Sequence, residues 1–74
     1  MLVTVKLHGI FRIDRFKEKK AEYPPGTTVM DIVEQLKLPS TLLGIILVND
    51  IHSTIDSQMK NGDTLVLLPI LDGG

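Results

Sequence analysis

The first hydrophobic pattern begins at residue 2. In Leu2-Val-Thr-Val-Lys-Leu7, Val3, Val5 and Leu7 fall on one side, with Thr4 and Lys6 on the other. A period of two in a stretch rich in β-branched residues predicts a half-buried strand. Gly9 interrupts it, and Ile10 to Phe16 reads as a hairpin connection with some apolar contacts. Lys17 to Tyr23 reads as a short edge strand: Ala21 and Tyr23 can face a core, and Lys19 would share their side. A lysine there discourages pairing with a foreign strand. Pro24-Pro25-Gly26 ends the strand, since proline cannot donate to a ladder and glycine supports a turn.

The period then changes. Val29, Ile32, Val33 and Leu36 stand at i, i+3, i+4 and i+7, a single apolar stripe. Thr28, three residues before Asp31, predicts a capping box, and Asp31 sets negative charge at the positive end of the helix dipole. Pro39 disfavours helical geometry at Leu38, so the helix is expected to end near Lys37. A helix of two to three turns is too short to stand alone and must lie across a sheet. Gly44 introduces the dense run Ile45-Ile-Leu-Val48, which predicts a central strand, and Asn49-Asp50 follows as a turn tolerant of positive φ. Ile51-His52 begins a short return strand. Ser53 to Lys60 is a polar connection with Ile55 and Met59 as anchors, Asn61-Gly-Asp63 a turn signal, and Thr64 to Leu68 the last strand. The simplest packing is one mixed sheet of four to five strands under one main helix, with the first and last strands parallel at its centre. That is an α+β roll of the β-grasp, ubiquitin-like kind. It is expected as a single domain over residues 1–74 with a flexible tail from about residue 70.

Composition narrows the chemistry. At 74 residues the chain buries only about 60% of its unfolded surface, so its core must be regular. It has no cysteine, which excludes a disulfide scaffold, a zinc finger, an iron–sulfur site and a thiol nucleophile. Two histidines without a tight acidic cluster give no expectation of a metal site, and His8 and His52 are assigned no catalytic role. Eight basic residues against nine acidic ones remove the long-range attraction that nucleic-acid binders use. Lys17, Lys19 and Lys20 are interleaved with Glu18 and Glu22 and read as a solvated edge. No apolar run approaches the roughly 18 residues of a membrane span, and no signal-peptide block is visible. A cytoplasmic protein is the expectation, with neither membrane nor nucleic acid as partner.

Several stretches together resemble one family. Pro24-Pro-Gly-Thr-Thr-Val29 is similar to the Pro-x-Gly-x-Thr-Val lead-in of ThiS/MoaD-like sulfur carrier proteins. Leu47-Val-Asn-Asp50 resembles their Val-Asn-Gly turn, with Asp50 in place of glycine, and Asn61-Gly-Asp63 resembles their Asp-Gly-Asp. Leu67-Leu-Pro69 followed by Gly73-Gly74 resembles their closing strand and tail. At average glycine usage a random chain ends in two glycines about 0.5% of the time. Lys19 on the second strand and Asp72 before the diglycine depart from the pattern.

The resemblance implies a reactant, not an enzyme. An E1-like adenylyltransferase would bind the carrier, and the Gly74 carboxylate would attack the α-phosphate of ATP to give an acyl-adenylate. A sulfur donor enzyme would then replace AMP, leaving a C-terminal thiocarboxylate for a downstream synthase (MoaE-like or thiazole synthase-like). ATP and magnesium would belong to the partner, and no cofactor would be resident on this chain. A free α-carboxyl is ionised at neutral pH, and Gly73 and Gly74, lacking Cβ atoms, can thread a narrow channel. No nucleophile–base pair or Walker-type loop is visible. The Leu-Pro-x-x-x-Gly-Gly ending and the fuller first hairpin lean toward the MoaD-like branch, serving molybdopterin or tungsten cofactor, over the thiamin-thiazole branch. A covalent protein modifier and an inert β-grasp binding module are the alternatives.

Alternation also outlines a docking face. Counting back from the diglycine, Leu65 and Leu67 should face the helix, and Val66 and Leu68 should face outward. On the neighbouring strand Ile46 and Val48 should point inward, Ile45 and Leu47 outward. Ile45, Leu47, Val66 and Leu68, with Pro69, Ile70 and Leu71, are the expected partner-binding residues, beside Gly73 and Gly74 as the activated terminus.

Overall fold

The computed structural model describes residues 1–70. Six elements follow in order: β1 (Leu2–Leu7), β2 (Glu18–Glu22), α1 (Val29–Gln35), β3 (Leu43–Val48), β4 (Ile51–His52) and β5 (Thr64–Pro69). The strands form one sheet in the order β2-β1-β5-β3-β4. β1 and β5 pair in parallel, with Val5 opposite Leu65 and Leu7 opposite Leu67, and the other neighbours are antiparallel. With α1 on one face, this is the mixed five-stranded β-grasp sheet that the sequence order implied.

The strand alternation produces the core. Val3, Val5 and Leu7 from β1 and Leu65 and Leu67 from β5 are completely buried. Val29, Ile32 and Val33 of α1 close over them, with Leu38 and Met59 at the margins. Leu36, the last residue of the stripe, is partly buried against the same cluster. Phe11 is also fully buried, an apolar contact from the Ile10–Phe16 connection for which the pattern singled out no residue. It sits in a single 3-10 turn, Gly9–Arg12, within the long β1–β2 connection, where no periodicity exists to reveal an inward side chain.

At seven residues, α1 depends on its ends. Thr28 Oγ1 accepts from Asp31 N, and Asp31 Oδ2 accepts from Thr28 N at 2.9 Å, the reciprocal box that the spacing predicted. Val29 N and Met30 N donate to the carbonyls of Ser57 and Ile55, both at 3.0 Å. The 53–60 connection thus satisfies helix donors that would otherwise lack partners. This corrects the role expected of Ile55: its side chain is 36% exposed, and its carbonyl is the anchor. Met59 does bury its side chain.

The helix stops earlier than Pro39 alone implied. Gln35 is its last residue, and Lys37 adopts φ +56°, a left-handed closure. Arg15 rewards that early stop, donating from Nε to Leu36 O at 3.1 Å and from Nη2 to Lys37 O at 3.0 Å. A cation on the last carbonyls complements the negative end of the helix dipole.

β3 also needs a correction. Ile45–Val48 was expected as the central strand, but β5 occupies the centre and β3 lies beside it. β4 is only two residues long and covers β3 opposite Leu47 and Val48 alone. Of Leu43–Val48, only Ile46 is buried, although Val48 packs against the core margin. The alternation within the run is as expected: Ile46 faces the core, while Ile45 and Leu47 lie on the opposite face.

The two Asn/Asp turns are bonded to each other. Asn49 (φ 52°) and Asp50 (φ 67°) take the left-handed turn conformation. Asn49 Nδ2 donates to Asp63 Oδ1 at 2.8 Å, and Thr64 N donates to Asn49 Oδ1 at 2.9 Å. Lys60 N donates to Asp63 Oδ2 at 2.7 Å, and Gly62 carries the turn at φ +88°. Asn61 Oδ1 accepts from Leu2 N at 2.7 Å, tying this turn to the start of β1. Asp63→Ala leaves the Asn49 amide and the Lys60 N–H without acceptors and is expected to cost about 1–3 kcal/mol in denaturant unfolding.

A second expectation concerns alkaline pH. Burial pushes the Tyr23 phenol up from its ordinary value of about 10.0. The folded chain therefore holds that proton longer than the unfolded one, and the corresponding stability is lost as pH rises above about 10. The stability difference between Tyr23→Phe and wild type should be flat below about pH 10 and grow in favour of Tyr23→Phe above it. A difference that stays flat throughout contradicts the assignment.

Candidate functional site

One face of the sheet carries α1; on the other, no α-helix lies among the described residues. On that open face the β3–β5 register sets Ile45 opposite Leu68 and Leu47 opposite Val66. Ile45 is 40% exposed, and Leu47, Val66 and Leu68 are half-buried. Their neighbours in sequence, Ile46, Leu65 and Leu67, point into the core. The four apolar residues counted outward from the sequence thus lie together on two adjacent strands.

Across β5 the apolar strip meets charge. A groove of about 450 Å³ is lined by Leu47, Val66 and Leu68 on the apolar side and by Lys6, His8, Arg12 and Lys17 together with the acidic Glu18 and Asp50. Arg12 is held in place: its Nε donates to Leu7 O at 2.8 Å. Lys6 reaches Glu18 at 3.8 Å in a largely exposed pair, which contributes little to stability. Lys17, read from the sequence as part of a solvated edge, therefore borders the apolar strip. The near-neutral total charge concealed this arrangement, since six of the eight basic residues fall within residues 1–20. Only the parallel β1–β5 register, joining residues far apart in sequence, brings Lys6 and His8 beside Val66 and Leu68.

β5 ends at the same place. Pro69 pairs with Leu43, and Ile70 N donates to Leu42 O at 2.7 Å while the Ile70 side chain is 54% exposed. The chain thus leaves the sheet directly beside Leu68 and Ile45. Leu71, Gly73 and Gly74, the remaining residues expected to bind or react, lie outside the described residues. Among the described residues no three His, Asp or Glu side chains gather into a metal-binding group. No helix of the described residues is long and apolar enough to cross a membrane.

Neither protein-family profiles nor the sequences of curated proteins give a match to the chain. Solved structures do. It is similar to a putative molybdopterin converting factor subunit 1 from Pyrococcus furiosus, with 26% identity and a TM-score of 0.75 over 93% of this chain and 97% of that one. It is similar to the small archaeal modifier protein 1 of Haloferax volcanii, with 19% identity and a TM-score of 0.74 over 92% and 95% of the two chains. It is also similar to a chain in the complex of subunits 1 and 2 of the molybdopterin-converting factor from Helicobacter pylori, with 20% identity and a TM-score of 0.66 over both full chains. The neighbours are ThiS/MoaD-like, ubiquitin-fold proteins, so the resemblance read in Pro24–Val29 and the two Asn/Asp turns extends to three dimensions.

Adjacent residues of β5 should respond oppositely to a charge. Leu68→Asp should lower stability by less than about 1 kcal/mol, because its side chain faces the open side. Leu67→Asp, completely buried, should abolish the cooperative transition by thermal melting. Comparable losses from both would contradict the assignment of faces.

Proposed function

We propose that this chain is a sulfur carrier, a protein co-substrate in cofactor biosynthesis and not itself a catalyst. The observation that carries the reading is the Gly73-Gly74 pair, three and four residues in sequence beyond Ile70, where β5 leaves an uncovered apolar face. The face, through Ile45, Leu47, Val66 and Leu68 with Pro69, Ile70 and Leu71, docks onto an E1-like adenylyltransferase. The Gly74 carboxylate then attacks the α-phosphorus of ATP and pyrophosphate leaves. Hydrosulfide released by a donor enzyme attacks the carbonyl carbon and expels AMP, giving the thiocarboxylate and a proton. What this chain supplies is the ionised carboxylate, glycines slim enough to enter the partner's site, and a face that positions them. ATP and magnesium are held by the partner, in the cytoplasm.

The MoaD-like branch, in which a synthase subunit receives the tail, is preferred. The 26% identity to a molybdopterin converting factor subunit 1, and a similar chain found in complex with subunit 2, support that preference over the thiamin branch. A second reading, covalent modification of protein lysines, draws support from the likeness to small archaeal modifier protein 1. The two share every step up to the adenylate.

Intact-mass measurement after incubation with ATP, a sulfide source and cell extract tests the proposal. Replacement of one terminal oxygen by sulfur, lost when Gly74 is deleted, is the expected result. Lysine-linked conjugates that vanish on the same deletion would move the assignment to the modifier. An unreacted chain in an extract that charges a known carrier would refute both.

A further inference from the structure

Two glycines from different parts of the fold close on the end of β5. Gly44 lies in β3 where the β3–β5 register shifts between Leu43 and Ile45. A Cβ at Gly44 would stand 2.9 Å from Ile70 N and 3.0 Å from both Ile70 Cα and Pro69 C, all backbone atoms. Real Cβ atoms essentially never come within 3.0 Å of backbone, so a side chain at Gly44 must push the β3 backbone and the Pro69–Ile70 peptide apart. From the other side Gly9, at φ +57°, would bring a Cβ to 3.1 Å from Pro69 Cγ. The Ile70 N–H is bonded to Leu42 O at 2.7 Å in the same small region. The other glycines with positive φ, Gly26 and Gly62, have nothing within 4 Å of such a Cβ, so their turns alone explain them.

We infer that Gly44, seconded by Gly9, is a positioning residue: it lets the β3 backbone clamp Pro69–Ile70 and so fixes where the chain leaves the docking face. The inference rests on the carrier reading. Leu71 to Gly74 can reach at most about 14 Å, so a partner docked on Leu68 and Ile45 must hold its reactive centre within that distance of Ile70. A displacement of about 1 Å in a reacting group can cost on the order of a hundredfold in rate. Gly44 touches neither the partner nor the reacting atoms; it sets the origin from which the tail is measured. Docking is carried chiefly by Ile45, Leu47, Val66 and Leu68, while Pro69 and Ile70 at its margin move with the outlet.

The test compares Gly44→Ala and Gly9→Ala with Gly62→Ala, which introduces a side chain at positive φ in a turn remote from Ile70. Hydrogen exchange reads the Ile70 amide, and steady-state kinetics with the partner adenylyltransferase read the chain as substrate. Gly44→Ala should speed Ile70 exchange about tenfold or more and lower kcat by a similar factor, with a smaller rise in KM from the displaced Pro69 and Ile70. Gly62→Ala should lower the melting temperature yet keep wild-type kcat and Ile70 exchange. If Gly44→Ala fails to fold, Gly9→Ala carries the same expectation. Wild-type kcat and Ile70 exchange in the folded Gly44 or Gly9 variants would overturn the clamp, as would a loss in Gly62→Ala equal to theirs. A wild-type chain that no adenylyltransferase activates would instead overturn the carrier reading, while Ile70 exchange would still decide whether the clamp exists.

Discussion

Pairing the first strand with the last, in parallel, is the constraint on which the other features rest. Val5 and Leu65 are separated by 60 positions, and closing a loop of that length costs roughly 4 kcal/mol beyond a constant. Against it stand five completely buried side chains, Val3, Val5, Leu7, Leu65 and Leu67, each contributing about 1.5–3 kcal/mol. Burial exceeds the closure term about two- to fourfold, so the long-range ladder is sustained by the very residues that alternate most regularly. Once it forms, β2 and β3 have edges to join, α1 has a floor, and the end of β5 is directed beside the open face.

The same alternation divides labour between the two faces. Inward residues of β1, β3 and β5 make the core with α1; outward residues of β3 and β5 make an apolar strip that the fold does not cover. Polar residues do the locating. Asn49 and Asp63 lock the turns before β4 and β5 to each other, and Asn61 secures the start of β1. Those are the turns whose residues resemble the ThiS/MoaD-like pattern. Their value here is conformational: left-handed backbone at Asn49 and Asp50, and side-chain acceptors for otherwise unpaired N–H groups.

Legibility in the sequence followed the range of the interactions. Strand alternation, the helix stripe, the capping box and the turn residues are local, so β1, α1, β5 and the outward placement of Val66 and Leu68 could be read directly. What escaped depended on partners distant in sequence. Phe11 is buried by elements that a ten-residue connection brings it against, and nothing in its neighbours marks it. β3 reads as central because a dense apolar run does not say which strands lie on either side of it, although the outward placement of Ile45 and Leu47 was legible. Ile55 looked like an anchor because its side chain is apolar, whereas the structure uses its backbone oxygen. Lys6, His8, Arg12 and Lys17, with Glu18 and Asp50 among them, border the apolar strip only after β1 is set in register with β5, and Gly44 has a reason to be glycine only once Ile70 lies against it.

If the β1–β5 ladder underlies the rest, its amides must be the last to open. Native-state hydrogen exchange across a denaturant series measures this directly. The account predicts that the amides shared by β1 and β5 exchange only through global unfolding, with opening free energies equal to that of denaturation, while those of β4 open locally. Were the β1–β5 amides to exchange through a smaller opening that leaves α1 and β3 protected, the central ladder would not be what supports the face and its outlet, and the account would be contradicted.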